Sequence, residues 1–307
     1  MQLFARKVNN YDLYANHAWY VPGVGGMLSL LCWFLVGQIL AGIVSLILMA
    51  FLPQQVVTDY GMLVMYPLSF LPVMVFAAHK SQRNSLFEPG YKLNSSHFGP
   101  FKGWQIALVT VALVFSSMMA FDLPNYLNYK FTQSIPALAE AYDKFVELLG
   151  SMMGGPFWST FLLAAIFAPV FEEWLCRGMV LRGLLTKMKP GWAIVLSALF
   201  FAVIHMNLWQ ALNAFLIGVL MGYVYYKTGS LWLTMLMHFV NNATSVILSQ
   251  FTSLEEDAYW FETLDRTTYV LLYVLGVAVL VLCIRAFRRI PLEQKRGNVD
   301  SVELLAE

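Results

Sequence analysis

The sequence predicts an all-α protein: a polytopic membrane bundle of about eight transmembrane helices plus one interfacial amphipathic helix. Of its 307 residues, 59% are hydrophobic and 12% are charged, whereas a soluble domain carries roughly 25% charged residues. The mean hydropathy is +0.63. The hydrophobic residues also fall into separate runs, most of them long enough to cross a bilayer. A formal net charge of +1 argues against nucleic acid as a partner, and the lipid bilayer is the expected one.

Prolines, glycines and charged residues separate the predicted spans. The third span is expected to stop before Pro124, because proline removes a backbone hydrogen bond. Residues 134–150 place apolar side chains at helical spacing opposite charged ones, which predicts an amphipathic helix on the membrane surface, either a lid or a float. The predicted spans are Met27–Leu52, Tyr60–Ala78, Trp104–Phe121, Phe157–Leu175, Gly191–Met206, Ala211–Tyr226, Leu231–Ser249 and Tyr269–Phe287.

Three regions follow from this division. Residues 1–156 hold three spans, a polar loop and the amphipathic helix; residues 157–250 hold the polar residues discussed below; residues 251–307 hold an acidic loop, the last span and a polar tail. All but three of the 19 lysines and arginines fall in alternate connections that include both termini. Because Lys and Arg accumulate in cytoplasmic loops, both termini are predicted to be cytoplasmic. We expect the membrane to be the bacterial cell membrane.

One stretch concentrates charge within a span. Glu172, Glu173 and Arg177 follow the apolar run Trp158–Val170, although each charge near the bilayer centre costs roughly 2.5–3.5 kcal/mol on insertion scales. Glu173 and Arg177 are four residues apart, so they can pair on one helix face. Glu172 is then left without a local partner. The alternative interpretation is a cluster of long side chains that snorkel to the interface.

Further polar residues occur on two later spans. His205 ends an apolar run, with Phe201 one turn before it, and His238 and Asn242 are four residues apart in the seventh span. A single intramembrane histidine is commonly a helix–helix hydrogen bonder. A carboxylate, two histidines and an amide on three neighbouring spans indicate a site instead.

Two hydrolytic mechanisms fit these side chains. A Glu–His pair can activate water while His and Asn donors stabilise the oxyanion. Alternatively, Glu172, His205 and His238 are three ligands for a catalytic zinc. The sequence has neither a GxSxG serine motif nor an HExxH zinc motif, and it does not separate the two mechanisms.

Three ordered motifs resemble those of the CPBP family (CAAX proteases and bacteriocin-processing enzymes, also called ABI), which includes the Rce1-type CAAX prenyl endopeptidases. The resemblance covers residues 157–249 and implies an endopeptidase built into a membrane helix bundle. The motifs are Glu172-Glu173-x-x-x-Arg177, Phe201-x-x-x-His205 and His238-x-x-x-Asn242.

The resemblance also implies roles. Glu172 would activate water with the help of His205, and His238 and Asn242 would hold the oxyanion. The remaining motif residues would support the site: Glu173, Arg177 and Phe201. No metal would be required, with zinc on Glu172, His205 and His238 as the alternative.

The expected substrate is a membrane-associated peptide or protein, with or without a prenylated CAAX-like C-terminus, and we expect the site to open to the cytoplasm. Two other functions stay open: a catalytically silent scaffold or bacteriocin self-immunity protein on the same fold, and a small-molecule transporter or channel. A transporter is disfavoured because the sequence has no internal repeat.

One geometric condition limits the single-site hypothesis. At about 1.5 Å per residue, Glu172 and His238 would lie within about 10 Å of the cytoplasmic ends of their spans, but His205 about 20 Å deep. The three can meet only if the fourth span continues past Leu175 or the fifth begins below the membrane surface, near Lys187–Trp192.

Overall fold

Helices form the framework of the part of the protein that the structure describes. The computed structural model describes residues 20–81, 97–153, 155–251 and 259–292; the two termini and the acidic loop at 252–258, on which the sequence makes predictions, lie outside these ranges. In chain order the helices of the described ranges are α1 Val24–Phe51, α2 Gln54–Lys80, α3 Gly103–Gln133, α4 Pro136–Met153, α5 Phe157–Leu185, α6 Pro190–Ile204, α7 Leu208–Thr228, α8 Leu231–Phe251, α9 Trp260–Thr263 and α10 Arg266–Arg288.

The predicted fold class is confirmed. Within the described ranges, seven helices are long and apolar enough to cross a membrane, so the chain is an integral multi-pass membrane protein. The predicted span Gly191–Met206 corresponds to α6, whose 15 residues reach only about 22 Å. This helix is shorter than a bilayer is thick, which matters for the site below.

The fourth span ends later than predicted. The sequence places its end at Leu175, but α5 continues to Leu185. Arg177 and Arg182 resemble the polar end of a span, yet they are only 0% and 1% exposed. Arg182 donates to the carbonyl of Gly178 at 3.0 Å, so protein atoms satisfy it in place of water. This extension meets the condition under which Glu172 can approach His205.

Two π-helical segments interrupt α5. They span Leu162–Phe167 and Trp174–Leu181, on either side of the α-helical turn Ala168–Glu173. In a π-helix each carbonyl accepts from the N–H five residues later. For Ala164 that residue is Pro169, which has no N–H. The carbonyl of Ala164 is therefore free to accept a hydrogen bond from elsewhere.

The third span also runs further than predicted. The sequence places its end at Phe121, but α3 passes through Pro124 and ends at Gln133. Lys130, in the added turns, forms a 2.9 Å ion pair with Glu262 of α9. Such tertiary contacts commonly override local helix propensity.

The chain reverses direction immediately after α6. His205 follows the last residue of that helix, and Met206 has a left-handed φ of +53°, which is uncommon for a residue other than glycine. The side chain of Asn207 then caps α7 by accepting the N–H of Gln210 at 2.7 Å. His205 thus lies at the free end of a short helix.

The packing of α1, α2 and α5 positions the middle of α2 beside the charged turn of α5. Gly37 lets α1 approach α2 closely, because a Cβ there would lie 1.8 Å from the carbonyl oxygen of Ser69. Phe70 of α2 then packs on Phe171 of α5 with ring centroids 5.3 Å apart. Tyr66, one turn before Phe70, consequently faces α5.

Contacts between chain connections group several helix ends on one face. The N–H of Tyr20, before α1, donates to Ser81 at the end of α2 at 3.1 Å. The guanidinium group of Arg182, near the end of α5, donates to the carbonyl of Tyr20 at 3.3 Å. The start of α1 therefore lies beside the ends of α2 and α5.

His97 joins the remaining ends of this face. Its N–H donates to the carbonyl of Thr228 at the end of α7 at 2.7 Å, and its Nε2 lies 3.1 Å from the carbonyl oxygen of Pro291 after α10. We call this face the basic face. Its described basic residues include Lys80, Lys102, Lys187, Lys189, Lys227, Arg285, Arg288 and Arg289.

The other helix ends form the opposite face. There, Asp122 of α3 accepts the backbone N–H of Trp260 of α9 at 2.9 Å. The predicted amphipathic helix is confirmed as α4, which stacks Phe145 on Trp209 at the start of α7 with ring centroids 5.2 Å apart. The lysines and arginines of the described ranges at this face are Lys130, Lys144 and Arg266.

Candidate active site

Three residues that the sequence singles out meet in one place. Glu172 comes from the middle of α5, His205 from the end of α6, and His238 from α8. Nε2 of His205 lies 3.9 Å from Oε2 of Glu172, and Nε2 of His238 lies 4.0 Å from the same oxygen. Polar groups separated by such distances are commonly bridged by water.

The second nitrogen of each imidazole fixes the orientation of its ring. Nδ1 of His205 lies 2.7 Å from the carbonyl oxygen of Phe201, and Nδ1 of His238 lies 3.1 Å from Oε1 of Glu173. Both partners can only accept, so Nδ1 carries the hydrogen in each ring. In the neutral form, Nε2 of both histidines then presents a lone pair toward Glu172.

Glu173 and Arg177 form a buried ion pair, as their spacing predicts. Their side chains are 2.7 Å apart and 0% exposed. Arg177 also donates to the carbonyl of Gly218 at 3.1 Å and lies over the ring of Phe201, 4.5 Å from its centroid. This burial excludes the snorkelling interpretation, because a snorkelling arginine reaches the interface.

Phe201 connects the ion pair to both histidines. Its ring packs edge-on against His205 and His238, with centroids 4.8 and 5.6 Å away. The side chain is 2% exposed. It therefore restricts both imidazoles while covering Arg177.

A residue that the sequence analysis missed completes the environment of Glu172. The hydroxyl of Tyr66, on α2, donates to Oε1 of Glu172 at 2.5 Å. Oε2 is buried and has no hydrogen-bond partner among the described residues. A tyrosine beside Pro67 inside an apolar span was the available signal, but nothing in the sequence pairs it with a glutamate 106 residues away.

Asn242 is already engaged on both sides of its amide. Nδ2 donates to the carbonyl of Ala164 at 2.8 Å, and Oδ1 accepts from Asn241 at 3.1 Å. The Ala164 carbonyl is the one for which Pro169 provides no N–H. One amide hydrogen of Asn242 therefore stabilises the π-helical turn, and the other remains for a ligand.

A cavity of about 400 Å³ adjoins these groups. Its lining on α5 extends from Leu163 to Glu172, and its lining on α8 extends from His238 to Val246. These residues lie at the level of Glu172 or between it and the opposite face. Gln210 and Ser245 are exposed lining residues.

The cavity lies away from the Lys/Arg-rich side of Glu172, and the expected opening to the cytoplasm stays a prediction. Continuation of α5 to Leu185 fills the basic side of Glu172 with protein, because every residue from Leu175 to Thr186 is buried. The sequence predicts that the span ends at Leu175, which would place the site near the Lys/Arg-rich surface.

The three proposed zinc ligands do not fit one tetrahedral zinc as they stand. Ligand atoms around such an ion lie about 3.3 Å apart, whereas Oε2 of Glu172 is 3.9 and 4.0 Å from the two imidazole nitrogens. Within the described ranges, no group of three or more His, Cys, Asp and Glu side chains is placed to hold a metal ion.

Comparison with known proteins identifies the region that carries the site. Residues 154–244 match the family described as type II CAAX prenyl endopeptidase Rce1-like. No curated protein and no solved structure matches the chain. The matched residues include α5, α6, α7 and the part of α8 that bears His238 and Asn242, whereas Tyr66 lies outside them.

Proposed function

We propose that the chain, whose residues 154–244 match the Rce1-like family, is an intramembrane endopeptidase whose water is activated by Glu172. The observation that carries the proposal is the environment of one oxygen. Oε2 of Glu172 is buried without a hydrogen-bond partner among the described residues, while the Nε2 atoms of His205 and His238 face it. A water molecule between these groups would donate one hydrogen to Oε2 of Glu172 and the other to Nε2 of His205, and the carboxylate would activate it.

Glu172 then acts as the general base. It takes a proton from the bound water, whose oxygen attacks the carbonyl carbon of the scissile peptide bond. Nε2 of His205 accepts a hydrogen bond from the same water. As the C–N bond breaks, Glu172 returns the proton to the leaving amine, so the base becomes the acid.

Two donors are available for the oxyanion of the tetrahedral intermediate. One is the second amide hydrogen of Asn242, since the first is bound to Ala164. The other is Nε2–H of His238 when that ring is protonated on both nitrogens, with Nδ1–H held by Glu173. Donors fixed before the reaction stabilise the developing charge without reorganisation.

The proposed enzyme requires no metal, and its substrate is a membrane-associated peptide or protein. The side chain of His238 is positioned by Glu173, Arg177 and Phe201. These residues also close the site on its basic side. Whether a prenyl group is recognised is an outcome of the assay below.

The test compares purified wild type with Glu172→Gln in detergent, using fluorogenic peptides with prenylated and unprenylated CAAX-like C-termini and a general peptide library. We expect the variant to lose at least about 100-fold in kcat, because general-base catalysis contributes on the order of 10²–10⁴. Glu140→Gln is the matched control, since Glu140 is an exposed glutamate of α4 paired with Lys144. Cleavage by Glu172→Gln at the wild-type rate would overturn the proposal and favour a catalytically silent scaffold.

A further inference from the structure

We propose that the active-site pocket opens at the non-cytoplasmic face of the membrane and takes protein segments presented from that side. The identity of the reaction rests on the proposed function above. The direction of the opening rests on independent observations: the positions of the lining residues, the burial of the basic side, and the distribution of charge.

Most of the lining residues lie at the catalytic level or between it and the opposite face; the exception is Met221 of α7, three residues beyond the Gly218 carbonyl that accepts from Arg177. On α5 they end at Glu172, and on α8 they begin at His238 and continue toward Val246. On α6 they come only from its last turn, at Phe201 and His205. Each of these helices therefore contributes the part that runs from Glu172 to the opposite face.

The basic side of the site is closed by protein. Residues 175–186 of α5 and the following turn are all buried. On α8, Thr234 and Met237, just before His238, are 0% exposed. Arg177 fills the space between Glu173 and the basic face and is itself 0% exposed. A substrate that approached from the basic face would have to displace this packed layer, which protein interiors resist.

The short helix α6 leaves space on the opposite side. It spans about 22 Å from Pro190 at the basic face, so it does not fill the roughly 30 Å of the hydrocarbon layer. The gap is lined by polar side chains from neighbouring helices, among them Gln210, Asn213 and Ser245. Polar groups at membrane depth are tolerated where they line a water-filled cavity.

The distribution of charge assigns the two faces. Apart from Arg177 and Arg182, which are buried within α5, all but three of the lysines and arginines in the described ranges lie at the basic face. The exceptions are Lys130, Lys144 and Arg266. Because short cytoplasmic loops carry the excess of Lys and Arg, the basic face is cytoplasmic. Both termini then lie in the cytoplasm, and the pocket opens on the other side.

This direction narrows the substrate class. A cytoplasmic protein that carries a lipid at its C-terminus would meet the closed face. A membrane-inserted or exported segment whose scissile bond lies in the non-cytoplasmic half of the bilayer would meet the opening. The amphipathic helix α4 lies beside that opening, where Tyr142 and Phe145 contact Trp209, four residues after His205.

Cysteine labelling in cells that express the full chain tests the proposal. The background is Cys32→Ser, since Cys32 is exposed while Cys176 and Cys283 are buried, and this variant must itself remain unlabelled. Ser245→Cys reports on the pocket, Lys187→Cys on the basic face and Lys144→Cys on the opposite face. A membrane-impermeant maleimide is added to intact cells and, separately, to inverted membrane vesicles.

In intact cells we expect labelling at positions 245 and 144 but not at position 187, with the reverse pattern in inverted vesicles. Labelling of positions 245 and 187 from the same side would overturn the proposal, as would labelling of 187 from outside the cell. Failure to label 245 while 144 reacts would also contradict it, because the pocket would then be closed to that side. Cysteine labelling does not require enzymatic activity. An incorrect assignment of peptidase activity would therefore be detected only by the Glu172→Gln assay.

Discussion

The hydroxyl of Tyr66 donates a hydrogen bond to Oε1 of Glu172 at 2.5 Å, joining α2 to α5. This contact occupies one carboxylate oxygen, and Oε2 is the oxygen that faces His205 and His238. The proposed base is therefore oriented by a helix outside the Rce1-like residues 154–244. The N-terminal helices contribute to the site as well as to the bundle.

Tyr66→Phe should lower kcat by about 10- to 100-fold. Loss of a hydrogen bond to a charged group costs about 1.5–3 kcal/mol, and each 1.4 kcal/mol corresponds to a factor of ten in rate. Steady-state kinetics with any cleaved peptide measures the change. Tyr60→Phe is the matched control, because Tyr60 lies on the same helix and is 49% exposed. Equal rates for the two variants would show that Tyr66 does not orient the base.

Glu173→Gln should lower thermal stability strongly. The substitution leaves the guanidinium group of Arg177 buried without a counter-charge, and breaking such a pair costs about 3–5 kcal/mol. The same i,i+4 geometry occurs in the exposed pair of Glu140 and Lys144, at 2.6 Å. Glu140→Gln should therefore change the melting temperature little. Thermal unfolding in detergent, followed by tryptophan fluorescence, compares the two, and equal shifts would argue against a specific role for burial.

Asn242→Ala should destabilise the protein by about 1–3 kcal/mol, the cost of an unsatisfied carbonyl in a buried position. The carbonyl concerned is that of Ala164, which accepts from Nδ2 of Asn242 at 2.8 Å. Pro169→Ala restores an N–H five residues after Ala164, so the loss should shrink in that background. A double-mutant cycle measured by thermal unfolding gives the coupling energy.

The same cycle separates the two roles proposed for Asn242. If its second amide hydrogen stabilises the oxyanion, the double variant recovers stability but keeps a low kcat. Recovery of both would mean that Asn242 acts only by supporting the π-helical turn. Additive losses of stability would contradict the assignment of the Ala164 carbonyl to Asn242.

The composition and the hydrophobic runs suffice to predict the membrane bundle, but the ends of α3 and α5 could not be predicted. The fourth span was predicted to end before Arg177 and Arg182 because charged side chains are expected to lie in contact with water. Both donate to backbone carbonyls instead, and Arg177 also contacts Glu173 and the ring of Phe201. Pro124 ended the predicted third span because proline removes a backbone hydrogen bond, but α3 continues and its later turns contact α9.

The residues of the candidate site were easier to predict from the sequence than the residues around them. Motif spacing suffices to pair Glu173 with Arg177, and the structure brings Glu172, His205 and His238 together. Tyr66 could not be found, because its contact joins two spans that no local spacing relates. The direction of the pocket also depends on the true end of α5, which local hydropathy does not reveal.

In the proposed mechanism Glu172, rather than a metal ion, activates the water. The most direct test is the rate of peptide hydrolysis by purified wild type after prolonged treatment with a strong zinc chelator, and again after zinc is restored. We expect an unchanged rate in both conditions, with loss of activity in Glu172→Gln. Activity that disappears on chelation and returns with zinc would contradict it and would make Glu172, His205 and His238 metal ligands.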